Sequence, residues 1–184
     1  MAFFVQTSAQ VVLIVKSKSK LNNSWLTSGL KDQLIKNGVK GLWVHYNPSA
    51  GRRLYEKTQW ELLFGEKRSI DSNGLLYGPG AFQQLIPSLY SQSLNEVAAF
   101  FNPTSNHVIV DLYCGTGTSM NKWAKFGTNI LGVEVGGEAV ECAKLNVPQA
   151  IIFRGACRQR MPQIRDWANQ QRGSGRDVCL YVNP

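Results

Sequence analysis

The stretch His107–Gly117, HVIVDLYCGTG, constrains this chain more than any other. Val108, Ile109 and Val110 are apolar and β-branched in succession, as in a strand covered on both faces within a parallel sheet. Asp111 closes the run, and Gly115 and Gly117 bracket a turn behind it. Glycine there permits positive φ and a close approach of ligand to backbone, and the helix expected next has an electropositive N-terminus. Asn129–Glu134, NILGVE, predicts the following strand and ends in a carboxylate 17 residues after Gly117. An acidic side chain so placed can hold two ribose hydroxyls. The pattern is that of a strand and loop cradling a nucleoside-bearing cofactor.

DLYCGTG followed by GVE resembles motifs I and II of the S-adenosylmethionine-dependent methyltransferases. It does not fit the dinucleotide fingerprint G-x-G-x-x-G, because Met120 holds the place of the third glycine. Upstream, Gly78–Gln84, GPGAFQQ, is similar to the S-P-x-x-F-F-Q-x-N element of the RNA uracil-5 methyltransferases, which form 5-methyluridine in tRNA and 23S rRNA. The resemblance implies S-adenosyl-L-methionine as cofactor, a tRNA or rRNA partner and methyl transfer to C5 of a uridine. It spans most of the chain: residues 1–78 are similar to the family's middle subdomain, and 79–184 to the first half of its catalytic domain. Four positions depart from it: Ile86 and Thr118 each replace an asparagine, Ala156-Cys157 stands where an acidic or amide residue would meet adenine, and Asn183 replaces the aspartate of D-P-x-R.

With 43% hydrophobic and 17% charged residues, the 184-residue chain is globular, large enough for one domain or two small ones. Its formal charge of +8 favours a polyanionic partner. Cys114, Cys142, Cys157 and Cys179 lie far apart with no C-x-x-C pair, and only His45 and His107 supplement them, so a metal site is not expected. No signal peptide is recognisable ahead of the first strand, and the apolar runs are far shorter than the roughly 20 residues of a membrane helix. A soluble, cytoplasmic protein is the expectation. Nothing in the sequence fixes an oligomeric state.

Along the chain, residues 3–16 predict a strand or hairpin, and Lys16, Lys18 and Lys20 alternate at its end, able to meet phosphates or to form a solvated edge. A helix is expected from Asn23 or Ser24 to about Asn37, stopped by Gly38. Short strands follow over 41–46, 52–56 and 60–64, where Trp43, Tyr46, Tyr55 and Trp60 near Arg52, Arg53 and Lys57 would form either a base-stacking surface or a core. Ser72-Asn73-Gly74 marks the boundary between an α+β subdomain, 1–74, and the N-terminal half of a methyltransferase domain, 75–184. In the second part, helices are expected over about 82–101, 119–126, 138–146 and 162–171, with strands ending at Asp111, Glu134, Phe153 and Val182. Such alternation predicts an α/β fold: a doubly wound, mostly parallel, Rossmann-like sheet with its ligand at the carboxyl ends of the strands. An all-apolar strand, VCLYV at 178–182, belongs inside a sheet, so the chain is expected to continue past Pro184 or to have that strand covered by something else.

The candidate cofactor residues are Gln84, Asp111, Tyr113, Gly115, Gly117, Thr118, Glu134 and Asn183. Gly115 and Gly117 would let the loop approach the cofactor, Glu134 would bind the ribose, and Asp111, Tyr113, Thr118 and Gln84 would surround the methionine portion. Asp111 as a helix cap, Tyr113 as a packing residue and Gln84 as a solvated first-turn residue remain the structural alternatives. The family's cysteine nucleophile and carboxylate base match nothing here, so no catalytic residue is assigned within this chain, and the fragment alone is expected to be inactive. Two other readings stay open: a methyltransferase for another RNA base or substrate, and a non-catalytic RNA-binding relic of the fold.

Overall fold

The computed structural model describes residues 2–6, 10–49, 55 and 58–184, with residues 2–6 as backbone alone. The strand expected over 52–56, apart from Tyr55, and the cations Arg52, Arg53 and Lys57 lie outside the described residues. The chain forms two compact units, Met1–Asp71 with Tyr77–Gly80, and Ser72–Leu76 with Ala81–Pro184.

The first unit is a four-stranded sheet of order β1-β2-β3-β4, from β1 (Ala2–Gln6), β2 (Gln10–Val15), β3 (Gly41–Tyr46) and β4 (Trp60–Gly65). β1 and β2 form an antiparallel hairpin, and α1 (Ser28–Lys36) carries the chain across so that β3 runs parallel to β2. The single helix expected from Asn23 is instead a 3-10 turn, Asn23–Trp25, followed by α1. Thr27 is the reason: it sits extended at ψ 160° and its hydroxyl caps the Leu30 N–H, so the α-helix starts after it. Period-two alternation sends Leu13, Val15, Leu42, Val44 and Tyr46 to one core, joined by Leu30 and Leu34, and Val12, Ile14 and Trp43 to the other face.

That alternation answers the question of the aromatics. Trp43 and Tyr46 are 7% and 3% exposed on opposite faces of the sheet, Trp60 stacks on the buried His45 ring with centroids 4.2 Å apart, and the Trp43 indole N–H donates to the buried Gln10 amide at 2.9 Å. They form core, because burying such large side chains outweighs leaving them for a ligand. The lysines from Lys16 to Lys20 follow the strand's end in a bend, where Lys16 donates to the Ser49 carbonyl and Lys20 pairs with Glu61.

The second unit alternates strand and helix: α2 (Pro87–Phe101), β7 (His107–Leu112), α3 (Thr118–Ala124), β8 (Asn129–Glu134), α4 (Gly137–Asn146), β9 (Ile151–Arg154), α5 (Cys157–Gly173) and β10 (Asp177–Val182). Between the units' sheets in sequence, β5 (Ser69–Ile70) and β6 (Leu76–Tyr77) make a short ribbon around the expected turn at Gly74. The four long strands of the second unit are parallel in the order β10-β7-β8-β9. Leu94 and Ala98 of α2, Met120 and Trp123 of α3 and Ala143 of α4 pack on Ile109 and Ile130, while Ile164 and Trp167 of α5 pack on Val110, Leu131 and Val133. Each fully buried aliphatic side chain contributes roughly 1.5–3 kcal/mol, and covering both faces makes the sheet doubly wound.

Two helix boundaries and one strand position differ from the simplest reading. α2 begins at Pro87, not near Phe82, because a residue before proline is pushed out of the helical region: Ile86 sits at φ −121°, ψ 85°. Gln83 and Gln84 therefore lie in irregular chain, and Leu85 and Leu89 are 95% and 58% exposed. α5 begins at Cys157, a turn and a half before Pro162, which stands inside the helix. β10, expected in an interior position, is the outer strand among those described, with Leu180 and Val182 about half exposed.

Candidate functional site

The strand order fixes where a ligand can sit. From β7 the chain steps outward through β8 and β9, and then α5 returns it past β7 to β10, so the order reverses between β7 and β10. Helices leave the strands to opposite faces at such a point, and a crevice opens at the carboxyl ends. Asp111 near the end of β7, the loop 113–117, Glu134 at the end of β8 and Asn183 just past β10 all lie at those ends.

The loop is made of unusual backbone. Tyr113, Gly115 and Gly117 all have positive φ, at 63°, 55° and 90°. For a tyrosine that costs on the order of 1–2 kcal/mol, and the Cys114 N–H to Val133 carbonyl bond of 3.1 Å helps hold it there. The consequence is that the Tyr113 ring is thrown outward, 47% exposed. The two glycines serve different purposes. A Cβ on Gly115 would meet nothing within 4 Å, so its backbone faces open space, whereas one on Gly117 would lie 3.2 Å from Met120 Cε and 3.3 Å from Ala143 Cα. Gly117 is thus a packing requirement between α3 and α4, and Gly115 is the residue with room for a ligand.

Glu134 ties the loop to the next strand. Its Oε2 accepts from the Gly115 N–H at 3.1 Å and its Oε1 from the Gly136 N–H at 2.6 Å. Two backbone donors fix the carboxylate's plane while each oxygen keeps a further lone pair for a hydroxyl. Behind the loop, the Asn146 amide donates to the Thr116 carbonyl at 2.8 Å and exchanges two bonds with Leu76.

Asp111 is 1% exposed. It does not cap a helix; its Oδ2 accepts from the Trp123 indole at 3.1 Å, and Oδ1 has no partner of good geometry. Burial pushes its pKa up to about 7, outweighing the opposite pull of Ser119 and Trp123. Burial likewise raises the Tyr90 hydroxyl, which shares this corner with Ser119, Tyr181 and Asn183, and the Tyr181 hydroxyl. A half-satisfied, buried carboxylate at a crevice is a place for an ammonium or a hydroxyl.

Asp111, Tyr113, Gly115 and Glu134 are thus brought together, and Asn183 reaches the same corner through Tyr90. Thr118 is the first residue of α3 and Gln84 is half-buried before α2; among the described residues no hydrogen bond joins either side chain to the others. Ala156 and Cys157 form the start of α5, Cys157 buried. Trp123, Tyr90, Asn146 and the Gly136 N–H contact these candidate residues and their loop without being marked by the motifs. The Cys114 thiol is buried and pushed well up, first by desolvation and then by Asp111 and Glu134. Among the described residues no group of His, Cys, Asp or Glu could hold a metal ion.

No family model matches the chain. An uncharacterized RNA methyltransferase of Clostridium tetani is 28% identical over 139 residues, 74% of this chain and 30% of that relative. The 23S rRNA (uracil(1939)-C(5))-methyltransferase RlmD of Tolumonas auensis is 28% identical over 54% of this chain and 23% of its own length. The crystal structure of Pyrococcus abyssi tRNA (uracil-54, C5)-methyltransferase, in complex with S-adenosyl-L-homocysteine, superposes with a TM-score of 0.58 over 80% of this chain and 36% of that one, at 19% identity, a likeness of fold. The chain spans about a third or less of the length of the curated relatives it matches. The chain is thus similar in sequence to RNA methyltransferases, uracil-C5 enzymes among them, and has a methyltransferase-like fold.

Proposed function

We propose that residues 1–184 form the S-adenosyl-L-methionine-binding part of a cytoplasmic RNA methyltransferase that acts on C5 of a uridine in tRNA or rRNA. The observation that carries the reading is the Glu134 carboxylate, held by the Gly115 and Gly136 N–H groups beside the open face of Gly115. The residues fit the cofactor on their own chemistry. Glu134 offers two lone pairs to a ribose diol, and the orphaned Oδ1 of Asp111 offers one to an amino-acid ammonium. Tyr113 and Gly115 would flank the bound molecule, Asn183, Thr118 and Gln84 would complete the polar end, and Gly117 would act through packing. When bound, S-adenosylmethionine supplies an electrophilic methyl on a sulfonium.

C5 of uracil is a poor nucleophile until a thiolate adds to C6, and a base must later remove the C5 proton. None of the four cysteines suits that addition: Cys114, Cys142 and Cys157 are buried, and the Cys179 thiol is raised by burial. The attacking thiol is therefore assigned outside these residues.

Titration of the chain with S-adenosylhomocysteine tests the cofactor site. Glu134→Gln leaves one acceptor for two backbone donors and puts an NH2 against the other; binding should weaken roughly 10- to 100-fold, on the order of 1.5–3 kcal/mol. Wild-type affinity in that variant would remove Glu134 from the site. For the substrate, labelled methyl should appear on uridine C5 with the full-length enzyme, and label on another base would move the assignment.

A further inference from the structure

The outer face of α5 carries a charge pattern that cofactor binding does not use. Residues 154–176 hold six arginines, no lysine and a single acid, Asp166, and so supply five of the chain's eight net positive charges. Arg158, Arg165 and Arg172 recur every seventh residue, which in an α-helix sets them on one stripe about 21 Å long. All three are exposed, on a flank of the helix about 100° round from the face on which Cys157 and Ile164 pack against the sheet. Arg158 and Arg172 make no ion pair among the described residues, and Arg165 meets only its exposed neighbour Asp166 at 3.4 Å, a contact worth little in water. Arg160 is different in kind: its guanidinium folds back on the Arg154 carbonyl at 3.0 and 2.6 Å and closes the turn at Gly155.

A solvated surface helix usually mixes signs, as α4 does with Glu138, Glu141 and Lys144. α5 does not, and its intervening exposed residues include Gln159, Gln163 and Asn169, which add neutral hydrogen-bonding groups. We propose that the Arg158–Arg165–Arg172 stripe is a docking surface for the phosphate backbone of the RNA, running away from the strand-end crevice along α5. The proposal rests on the RNA reading above. Guanidinium groups pair with phosphate in a bidentate fork, and a row of them meets a linear polyanion without reading its bases. An anionic membrane is a poorer fit, since the apolar side of α5 is committed to the sheet and only Met161 stands out as an exposed large apolar residue of the helix.

The experiment measures binding of a fluorescent, mixed-sequence single-stranded RNA to the 184-residue chain over roughly 50–200 mM salt, with S-adenosylhomocysteine titrated in parallel. Arg158→Gln, Arg165→Gln and Arg172→Gln together should weaken RNA binding by about tenfold or more near 0.1 M salt and flatten the log–log salt slope by about 2. The corresponding triple lysine variant should keep most of that slope, and both variants should bind S-adenosylhomocysteine as the wild type does. A wild-type salt slope in the glutamine variant overturns the proposal. So does wild-type protein that prefers phosphatidylserine vesicles to RNA. Cofactor binding without any RNA binding by the wild type removes the RNA reading and this proposal together; the expected loss of slope in a chain that binds no S-adenosylhomocysteine upholds the stripe and removes the cofactor site alone.

Discussion

At the residue scale, Asp111 links burial to pH in two measurable ways. Its carboxyl titrates near 7 in the fold and near 3.8 in an unfolded chain, so between those values the native state binds the extra proton. Stability therefore falls as pH rises from about 4 to about 7, by on the order of a few kcal/mol, and levels off above. Asp111→Asn should abolish that slope in denaturant midpoints. A cofactor ammonium selects the ionised form, so affinity for S-adenosylhomocysteine should rise as pH passes up through about 7 and be weak and flat in Asp111→Asn; a flat wild-type profile between pH 6 and 8 would take Asp111 out of the site. Gly132 makes a packing prediction. A Cβ there would lie 2.5 Å from Met120 Sδ and 2.9 Å from Cys114 Sγ, both almost fully buried. Gly132→Ala should cost about 1–3 kcal/mol in urea unfolding with an unchanged m-value. The same contact explains why methionine stands where a dinucleotide fold keeps its third glycine: β8 gives up a side chain to make room. That Asp111, Gly115 and Glu134 lie at strand ends or in the loop was legible because that placement follows from local pattern. Trp123 was not, since its role depends on a helix face meeting a strand 12 residues earlier.

At the scale of elements, the two prolines invert each other. Pro87 starts α2 by forcing Ile86 out of helical geometry, whereas Pro162, which looks like a helix start, stands at the sixth position of α5. Tertiary packing decides the second case. Cys157 and Ile164 lie on one face and are both buried against Val110, Leu131 and Val133, so a first turn ahead of the proline is stabilised despite the hydrogen bond that Pro162 cannot give to the Arg158 carbonyl. The sequence pattern placed a helix here over about 162–171, but the proline misplaced its start. Pro162→Ala restores an N–H donor at a solvent-exposed position and should stabilise the protein by about 1–3 kcal/mol, seen as a raised Tm. An unchanged or lowered Tm would mean that the proline's rigidity, or a bend it imposes, is part of the packed structure.

At the scale of the whole molecule, the alternation of β7 through β10 made the fold class readable, because a buried parallel strand must be apolar on both faces and its crossover helix amphipathic on one. The order of the strands was not in that pattern: β10 pairs with β7 and lies outermost among the described strands, although its all-apolar VCLYV reads as an interior strand. Nor did composition separate the buried aromatics of the first unit from a stacking surface, since Trp43 and Tyr46 satisfy either role until their faces are known. The arrangement divides binding from chemistry. The backbone-held Glu134 carboxylate, the open glycine and the buried aspartate are all present in the second unit, while the thiols are buried or raised, and Cys114, beside Asp111 and Glu134, is further suppressed by their carboxylates. A thiol held protonated at neutral pH cannot add to C6 of uracil. Residues 1–184 should therefore bind S-adenosylhomocysteine in a calorimeter and transfer no labelled methyl to RNA. Turnover that survives Cys114→Ala but is lost in Cys179→Ala would identify an active thiol within the chain and overturn that division, because Cys179 is the only one of the four that is not buried.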